Sequence, residues 1–459
     1  MRNPKKLYLI RLFVFAFVVM LYSCAEEMGM SPMEPMPVDN ILDIALTDAI
    51  EGAPNSTGIS SYILPDSEDY GAIPQDPRNP ITSAKVELGK FLFHETAFGT
   101  KAEMKELIGS YSCASCHHAA AGFQAGTAQG IGEGGMGFGI RGESRMVNPH
   151  IDESKIDVQP LRSPSAMNVA YQTNMLWNGQ FGATALNDGT DHLWPEGTPI
   201  AVNVLGYEGV EIQAIAGYGV HRHAFDKQTV IANRYQALFD QAFSDIPEDE
   251  RYTVEYAGLA VAAYERTLLA NKSPFQQWLR GNTSAMTNIQ KEGAVLFLGK
   301  GQCASCHGGP SLANMEFHAI GMRDFHPDEV SNYVVGDASS KGRSSFSHDS
   351  SDDYKFKVPQ LYNLKDSPFY GHGASMRSVR AVIEYKNDAI PENPEVPQNQ
   401  LSAHFQPLGL TDSEIDALVA FVEDGLYDPD LQRYVPTHIK SGQCFPNNDR
   451  QSRIDLGCE

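Results

Sequence analysis

The sequence predicts a mainly helical chain built from two similar halves, and three observations carry that prediction. The pentapeptide Cys113-Ala-Ser-Cys116-His117 returns unchanged as Cys303-Ala-Ser-Cys306-His307. Each copy follows a segment with apolar residues at helical spacing, Ala84 to Phe93 and Asn288 to Phe297, which is the mark of an internal duplication. Alternating apolar and polar residues, which would announce half-buried strands, are almost absent, and Gly-rich runs connect the periodic segments.

C-x-x-C-H is the attachment signature of a c-type haem: two thiols close on the vinyl groups and the adjacent imidazole becomes the proximal iron ligand. A redox dithiol, a zinc site of four thiolates and chance compete with this reading. Chance fares worst, because the same five letters recur in a chain with seven Cys. A dithiol has no use for the two His, while paired C-x-x-C units remain common zinc ligands. The fold class expected is therefore mainly α, two cytochrome c-like domains with one covalent c-type haem in each. Cys113, Cys116, Cys303 and Cys306 would carry the haems, and His117 and His307 would bind the irons.

The chain is 459 residues long and 42% hydrophobic, enough for two domains and a sizeable core. Its formal net charge of -22 argues against nucleic acid and anionic membrane surfaces as ligands. It suits the steering of a basic partner such as a small electron-donor cytochrome, with plain solubility as the alternative. Arg2, Lys5, Lys6 and Arg11 precede an apolar run from Leu12 to Leu21 and then Tyr22-Ser23-Cys24. That reads as an export signal over residues 1–24 with a lipoprotein cleavage box and Cys24 as the lipid anchor, which places the protein in the periplasm, tethered to a membrane. An oxidising compartment also permits a disulfide between Cys444 and Cys458.

Residues 25–80 form a tether and extension. Pro at close intervals excludes a helix at its start, and the four Met there are read as linker residues over a soft-metal site. Asn40 to Ile50 has amphipathic helical spacing, and Gly52 to Pro80 is expected to wrap the surface as loops. The first haem domain spans 81–270. Its Gly-rich stretch, Gly130 to Gly142, can pass close to a flat cofactor because it carries few Cβ atoms. Helices are predicted over Thr229 to Phe243 and Val254 to Leu269. The second haem domain, 271–440, contains an exposed polar insertion from Asp324 to Lys357 and two helices, Val379 to Lys386 and Ser413 to Asp424. A tail, 441–459, carries Cys444 and Cys458.

From about Ile81 to Tyr434 the chain resembles the bacterial diheme cytochrome c peroxidases. The resemblance rests on Leu88-Gly-Lys-Phe-Leu-Phe93, both haem motifs, Leu176-Trp177-Asn-Gly179, Tyr264-Glu-Arg-Thr-Leu268, Ser273-Pro-Phe275, Phe317-His318 and the stretch from Pro359 to Gly373, in that order. It implies that the first haem reduces hydrogen peroxide, that the second receives electrons from a small cytochrome or cupredoxin, and that Trp177 relays them.

Three departures from the family pattern bear on mechanism. Better-known members carry a capping His sixteen positions after the first proximal His; here that position is Glu133, so the first haem is expected to be open to peroxide without reductive activation. Peroxide cleavage needs a group that takes a proton from one oxygen and returns it to the other. Aligning Val210-Glu211-Ile-Gln213 with the family's Gln-containing segment leaves His221-Arg222-His223 near the usual Glu, so His221 is the candidate acid-base with Arg222 beside it, and Glu211 is the alternative. The outer ligand of the second haem is expected fourteen residues after His372, where Lys386 stands next to Tyr385; Met376 lies earlier in the same stretch. The family's calcium is placed in doubt by Arg162, a cation where an oxygen ligand is expected.

The reading is thus a cytochrome c peroxidase. An oxidase that modifies Trp in a partner protein is the enzymatic alternative, with Tyr385 as its support, and a diheme electron carrier is the non-enzymatic one. A dimer is one assembly these readings allow.

Overall fold

Two helix crossings organise the chain, and a glycine sits in each. The computed structural model describes residues 38–459. In chain order its main helices are α1 (Val38–Gly52), α2 (Ser83–His94), α3 (Gly209–Val220), α4 (Val254–Arg266), α5 (Asn288–Leu298), α6 (Val379–Asp388) and α7 (Asp412–Ala420). Helix α2 crosses α4 so closely that a Cβ on Gly89 would collide with the Ala260 carbonyl, and α5 crosses α7 so that one on Gly293 would collide with the Ala417 carbonyl. Gly89 and Gly293 hold the same place in the two predicted repeats, so the duplication legible in the sequence is also a duplication of packing.

Side-chain caps define where these helices begin. Thr82 accepts from the Lys85 amide ahead of α2, Ser378 from the Ala381 amide ahead of α6, and Thr287/Gln290 and Thr411/Glu414 form capping boxes ahead of α5 and α7. Strand content is slight: β1 (Gly135–Met136) pairs antiparallel with β2 (Met146–Val147), and β3 (Phe317–His318) with β4 (Phe356–Lys357). The mainly helical expectation holds.

The chain divides at Ile44–Ala45, and of the first unit only the opening turns of α1 fall among the described residues. The export signal, Cys24 and the Met-rich tether lie outside them. From Ala45 onward one hydrophobic core runs through both repeats, from Leu88 and Phe123 by way of Tyr264 to Phe297 and Leu418.

Three expectations change in detail. The stretch from Gly52 to Pro80 is irregular, but it also enters the core: Tyr62 and Leu64 are buried, and the Gln276 side chain bonds the Leu64 amide and the Tyr62 carbonyl, both at 2.9 Å. The predicted helix from Thr229 to Phe243 is two short ones, Lys227–Ala232 and Gln236–Ala242, broken where Arg234 turns left-handed. The insertion from Asp324 to Lys357 is exposed only in part. Arg343 is buried because its guanidinium donates to the carbonyls of Asn178 and Gly179, and that anchor brings β4 inward.

Candidate functional site

Both C-x-x-C-H motifs form single 3-10 turns, Cys113–Ser115 and Cys303–Ser305, that bring the two thiols to one side. In each, the His imidazole is tied from below by a backbone carbonyl. His117 Nδ1 lies 3.3 Å from the Phe123 oxygen and His307 Nδ1 lies 2.9 Å from the Leu312 oxygen. Phe123 and Leu312 both have left-handed backbone, which turns those carbonyls toward the rings. Burial pushes both imidazoles down to about 4, so each stays neutral with Nε2 free to act as a ligand.

The last turn of α3 builds the polar face of the first site. His221 caps the helix C-terminus, and Arg222 takes left-handed backbone, so three consecutive side chains part in three directions. His221 Nδ1 meets Asp157 Oδ2 at 2.7 Å. Arg222 Nη1 meets the fully buried Glu133 carboxylate at 2.5 Å, and the Met104 amide donates to the same carboxylate. His223 points inward, between Tyr111 and Tyr218. Burial works against a charged His221, but the charge and hydrogen bond of Asp157 outweigh it and raise the pKa, in the sense that the negative end of α3 also favours. About 38% of the His221 side chain nevertheless reaches solvent, which gives a proton a way in and out.

The structure holds Glu211 elsewhere. Its carboxylate is clasped by Arg266 through Nε at 2.9 Å and Nη2 at 2.6 Å, with both side chains fully buried, and Asn79 adds a third bond. Gln213 sits on the same helix, partly exposed, beside Gly217. The Gly-rich stretch does make close approaches: Gly130 lies against Cys116 and Ser163. His150 is exposed.

A cavity of about 290 Å³ opens at the second motif. Cys303, Cys306 and His307 line it together with apolar side chains such as Val358, Leu361, Leu418 and Val422. Lys386 lines it too. Tyr385 and Met376 do not: the Tyr385 hydroxyl donates to the Ile320 carbonyl at 2.5 Å, and Met376 packs in the core with its backbone paired to Tyr370.

The segment from Arg162 to Ser165 joins the two sites. Ser163 and Pro164 line the cavity, and the Pro164 carbonyl lies beside His117. Trp177 lines the cavity and donates from Nε1 to the Arg162 carbonyl at 2.7 Å. Its ring meets those of His372 and Phe356, which stack on each other at 3.7 Å. Arg162 is 3% exposed and has no carboxylate partner among the described residues; its side chain donates to the carbonyls of Thr127, Ala128 and Ala125, to Gln124 Oε1 and to Ser367 Oγ.

Residues 83–284 match the profile of the family described as di-haem cytochrome c peroxidase. That stretch of the chain is similar to the family. The chain is 25% identical over 354 residues to a methylamine utilization protein MauG of Methylorubrum extorquens, covering 77% of this chain and 81% of that one. It is 28% identical over 374 residues to the cytochrome-c peroxidase IdrP1 of Denitromonas iodatirespirans, covering 76% and 84%. Among solved structures, a MauG-like protein associated with microbial copper homeostasis superposes with a TM-score of 0.54 at 21% identity, covering 80% of this chain and 95% of that one.

The family implies two c-type haems, and the residues fit them. Around Cys113, the Tyr218 hydroxyl and Glu265 Oε2 are buried without a hydrogen-bond partner among the described residues, and burial raises the Glu265 carboxyl to about 8. Polar atoms orphaned in this way mark a place for a group with polar edges. The cavity at Cys303 is apolar, with one free imidazole nitrogen. Asp157, Glu265 and Lys357 were not foreseen from the sequence. Asp157 lies 64 positions from His221, and no local pattern distinguishes it from the other acidic residues.

Proposed function

We propose that the chain is a peroxidase of this family, reducing hydrogen peroxide to two water molecules with two electrons and two protons, the electrons coming from a small cytochrome or cupredoxin. Cys113, Cys116 and His117 would hold the peroxide-reducing haem, and Cys303, Cys306 and His307 the electron-receiving one, each within its own cytochrome c-like part of the chain. Bound haem supplies the iron at which the O–O bond breaks and the redox levels that take electrons singly.

The protein's own residues supply the protons. His221 takes a proton on Nε2 from one peroxide oxygen and returns it to the leaving oxygen; Asp157 holds the opposite ring nitrogen and favours the imidazolium formed in between. Arg222 places positive charge beside the same turn. Glu211, bound to Arg266, holds α3 in place and is the lesser candidate for the acid-base group. Trp177 carries electrons between the sites through its bond to the segment beside His117.

One observation carries the reading: the position that would bear a capping imidazole holds Glu133, locked by Arg222, next to a His–Asp pair at the end of α3. That favours a peroxidase ready in its oxidised state over an electron carrier with both irons capped. The anchored Tyr385 hydroxyl, outside the cavity lining, disfavours the Trp-modifying oxidase. We further place the protein in the periplasm on a lipid carried by Cys24, working without calcium because the Arg162 guanidinium supplies the cation there.

Turnover of peroxide by the oxidised holoprotein with a reduced small cytochrome tests this. His221→Ala is expected to lower turnover about 10²- to 10⁴-fold with both haems retained. Full activity in that variant removes the assignment of His221, and absence of turnover in the wild type removes the function.

A further inference from the structure

Among the side chains lining the cavity at the second haem motif, Lys386 has no role in the proposed function. Helix α6 turns Val379, Val382, Ile383 and Lys386 toward the cavity, four positions on one helical face, three of them apolar. Lys386 closes that stripe with an amine. None of the described carboxylates pairs with it. Its electrostatic neighbours are Cys303 and Cys306, and its ammonium lies 5.1 Å from the centroid of the Phe405 ring. A buried ammonium without a counter-ion is costly, so a solitary amine in an apolar slot calls for an acceptor of its lone pair.

The other donors around the cavity are engaged or, in the case of His404, exposed. His318 uses Nδ1 on Ser402 at 3.0 Å and Nε2 on Glu316 at 3.0 Å. His372 is held by Asp324 at 2.9 Å and stacked on Phe356. Lys357 donates to Gln172. His404 is exposed and lies edge-on to His318. Met322 also lines the cavity and is a competitor, with its sulfur lodged against Gly371.

We infer that Lys386 is the outer ligand of the haem bound to Cys303 and Cys306, so that this iron is held between the His307 imidazole and a lysine amine. The inference rests on the two-haem reading above but not on peroxide being the substrate. An amine ligand in place of a thioether gives the electron-receiving haem a lower reduction potential than a His/Met haem has, because Met ligation raises it. The donor is then a redox protein of correspondingly low potential.

The experiment is electron paramagnetic resonance and near-infrared magnetic circular dichroism of the fully oxidised holoprotein, with covalent haem counted in every sample. The wild type should show one low-spin haem without the near-infrared band of a thioether–iron bond. Lys386→Met should create that band and raise the potential of one haem. Lys386→Ala should lose the low-spin signal of one haem of the two, and added n-propylamine should restore it. A thioether band in the wild type that disappears in Met322→Leu overturns the inference, as does a Lys386→Ala spectrum identical to the wild type. The wild-type spectrum decides even if a variant fails to load haem. Loss of peroxide turnover with the amine spectrum intact would count against the function alone.

Discussion

Replacing Cys444 and Cys458 by serine tests how the first haem motif is kept in position. The structure joins these two residues by a disulfide across a sequence separation of 14, wholly within the C-terminal tail. That tail covers the motif. Ser112 Oγ donates to the Pro446 carbonyl at 2.8 Å, the Asn448 amide to the Ser110 carbonyl at 2.9 Å, and Arg145 to Asp449 at 3.2 Å. Asp455 receives the Phe138 and Gly139 amides of the Gly-rich stretch. Since the bridge links tail to tail, its main effect is to restrict the undocked tail. For a closed loop of about 15 residues the chain-entropy account gives about 3 kcal/mol. At 1.4 kcal/mol per decade that is roughly a 100-fold rise in the undocked population. Native-state hydrogen exchange, under conditions where the rate follows the opening equilibrium, should show this acceleration at the Asn448 and Cys458 amides with little change in α4. An acceleration below about threefold would refute the reasoning, since the docked contacts alone would then suffice. Equal acceleration in α4 would refute it differently, by showing that the bridge supports the whole fold.

Three further outcomes are expected. Asp157→Asn should lower the His221 pKa and move the acid limb of the peroxide-rate profile to lower pH, because the free imidazole then persists further down. In stability, His221 with its raised pKa contributes below about 6.5, its ordinary value, and loses that contribution as pH climbs through the folded value; Asp157, held low, contributes above about 3.8 and loses it as pH falls through the folded value. Acid and base titrations of thermal stability in wild type and Asp157→Asn check both limbs. Arg162→Met strips hydrogen bonds from the Thr127 and Ala128 carbonyls, which have no other donor among the described residues, so it should cost about 3 kcal/mol or more in urea unfolding, whereas a calcium chelator should leave wild-type turnover unchanged. Arg266→Met leaves Glu211 buried and unpaired and should cost about 3 to 5 kcal/mol by the same assay, while Arg266→Met with Glu211→Met recovers much of it.

Local features of this chain were legible in the sequence, and distant pairings were not. The two motifs, the helices before them and the duplication follow from spacing alone, and Gly89 and Gly293 are the letters that a close crossing needs. The Cys444 and Cys458 pairing followed from compartment and count. Helix α3 escaped notice because nearly all its faces are buried and three Gly interrupt it, so no apolar stripe stands out against a polar one. Without the helix, Glu211 and His221 looked like alternatives for one task. The structure separates them by three helical turns and gives Glu211 to Arg266, a partner 55 positions away that no local pattern reveals. The polar composition from Asp324 to Lys357 concealed Arg343 and Lys357 for the same reason: each is buried by a partner contributed from the first half of the chain.

The two haem motifs, identical in five letters, hold their proximal His in the same way. Both imidazoles rest on the carbonyl of a left-handed residue, and both are driven down to about 4 by burial. A contrast lies in what stands opposite. At the first motif the chain presents His221 with Asp157 and Arg222 with Glu133, pairs whose members satisfy each other and leave one imidazole nitrogen to act. At the second it presents an apolar helical stripe ending in a single unpaired amine. Paired polar groups reached by solvent suit a substrate that arrives and leaves, and a lone donor in an apolar slot suits a permanent ligand. If that contrast sets the division of labour, then carboxylates exchanged at the first motif should alter pH dependence without moving the potential of the second haem. Exchanges at Lys386 should move that potential and leave the pH limbs where they are.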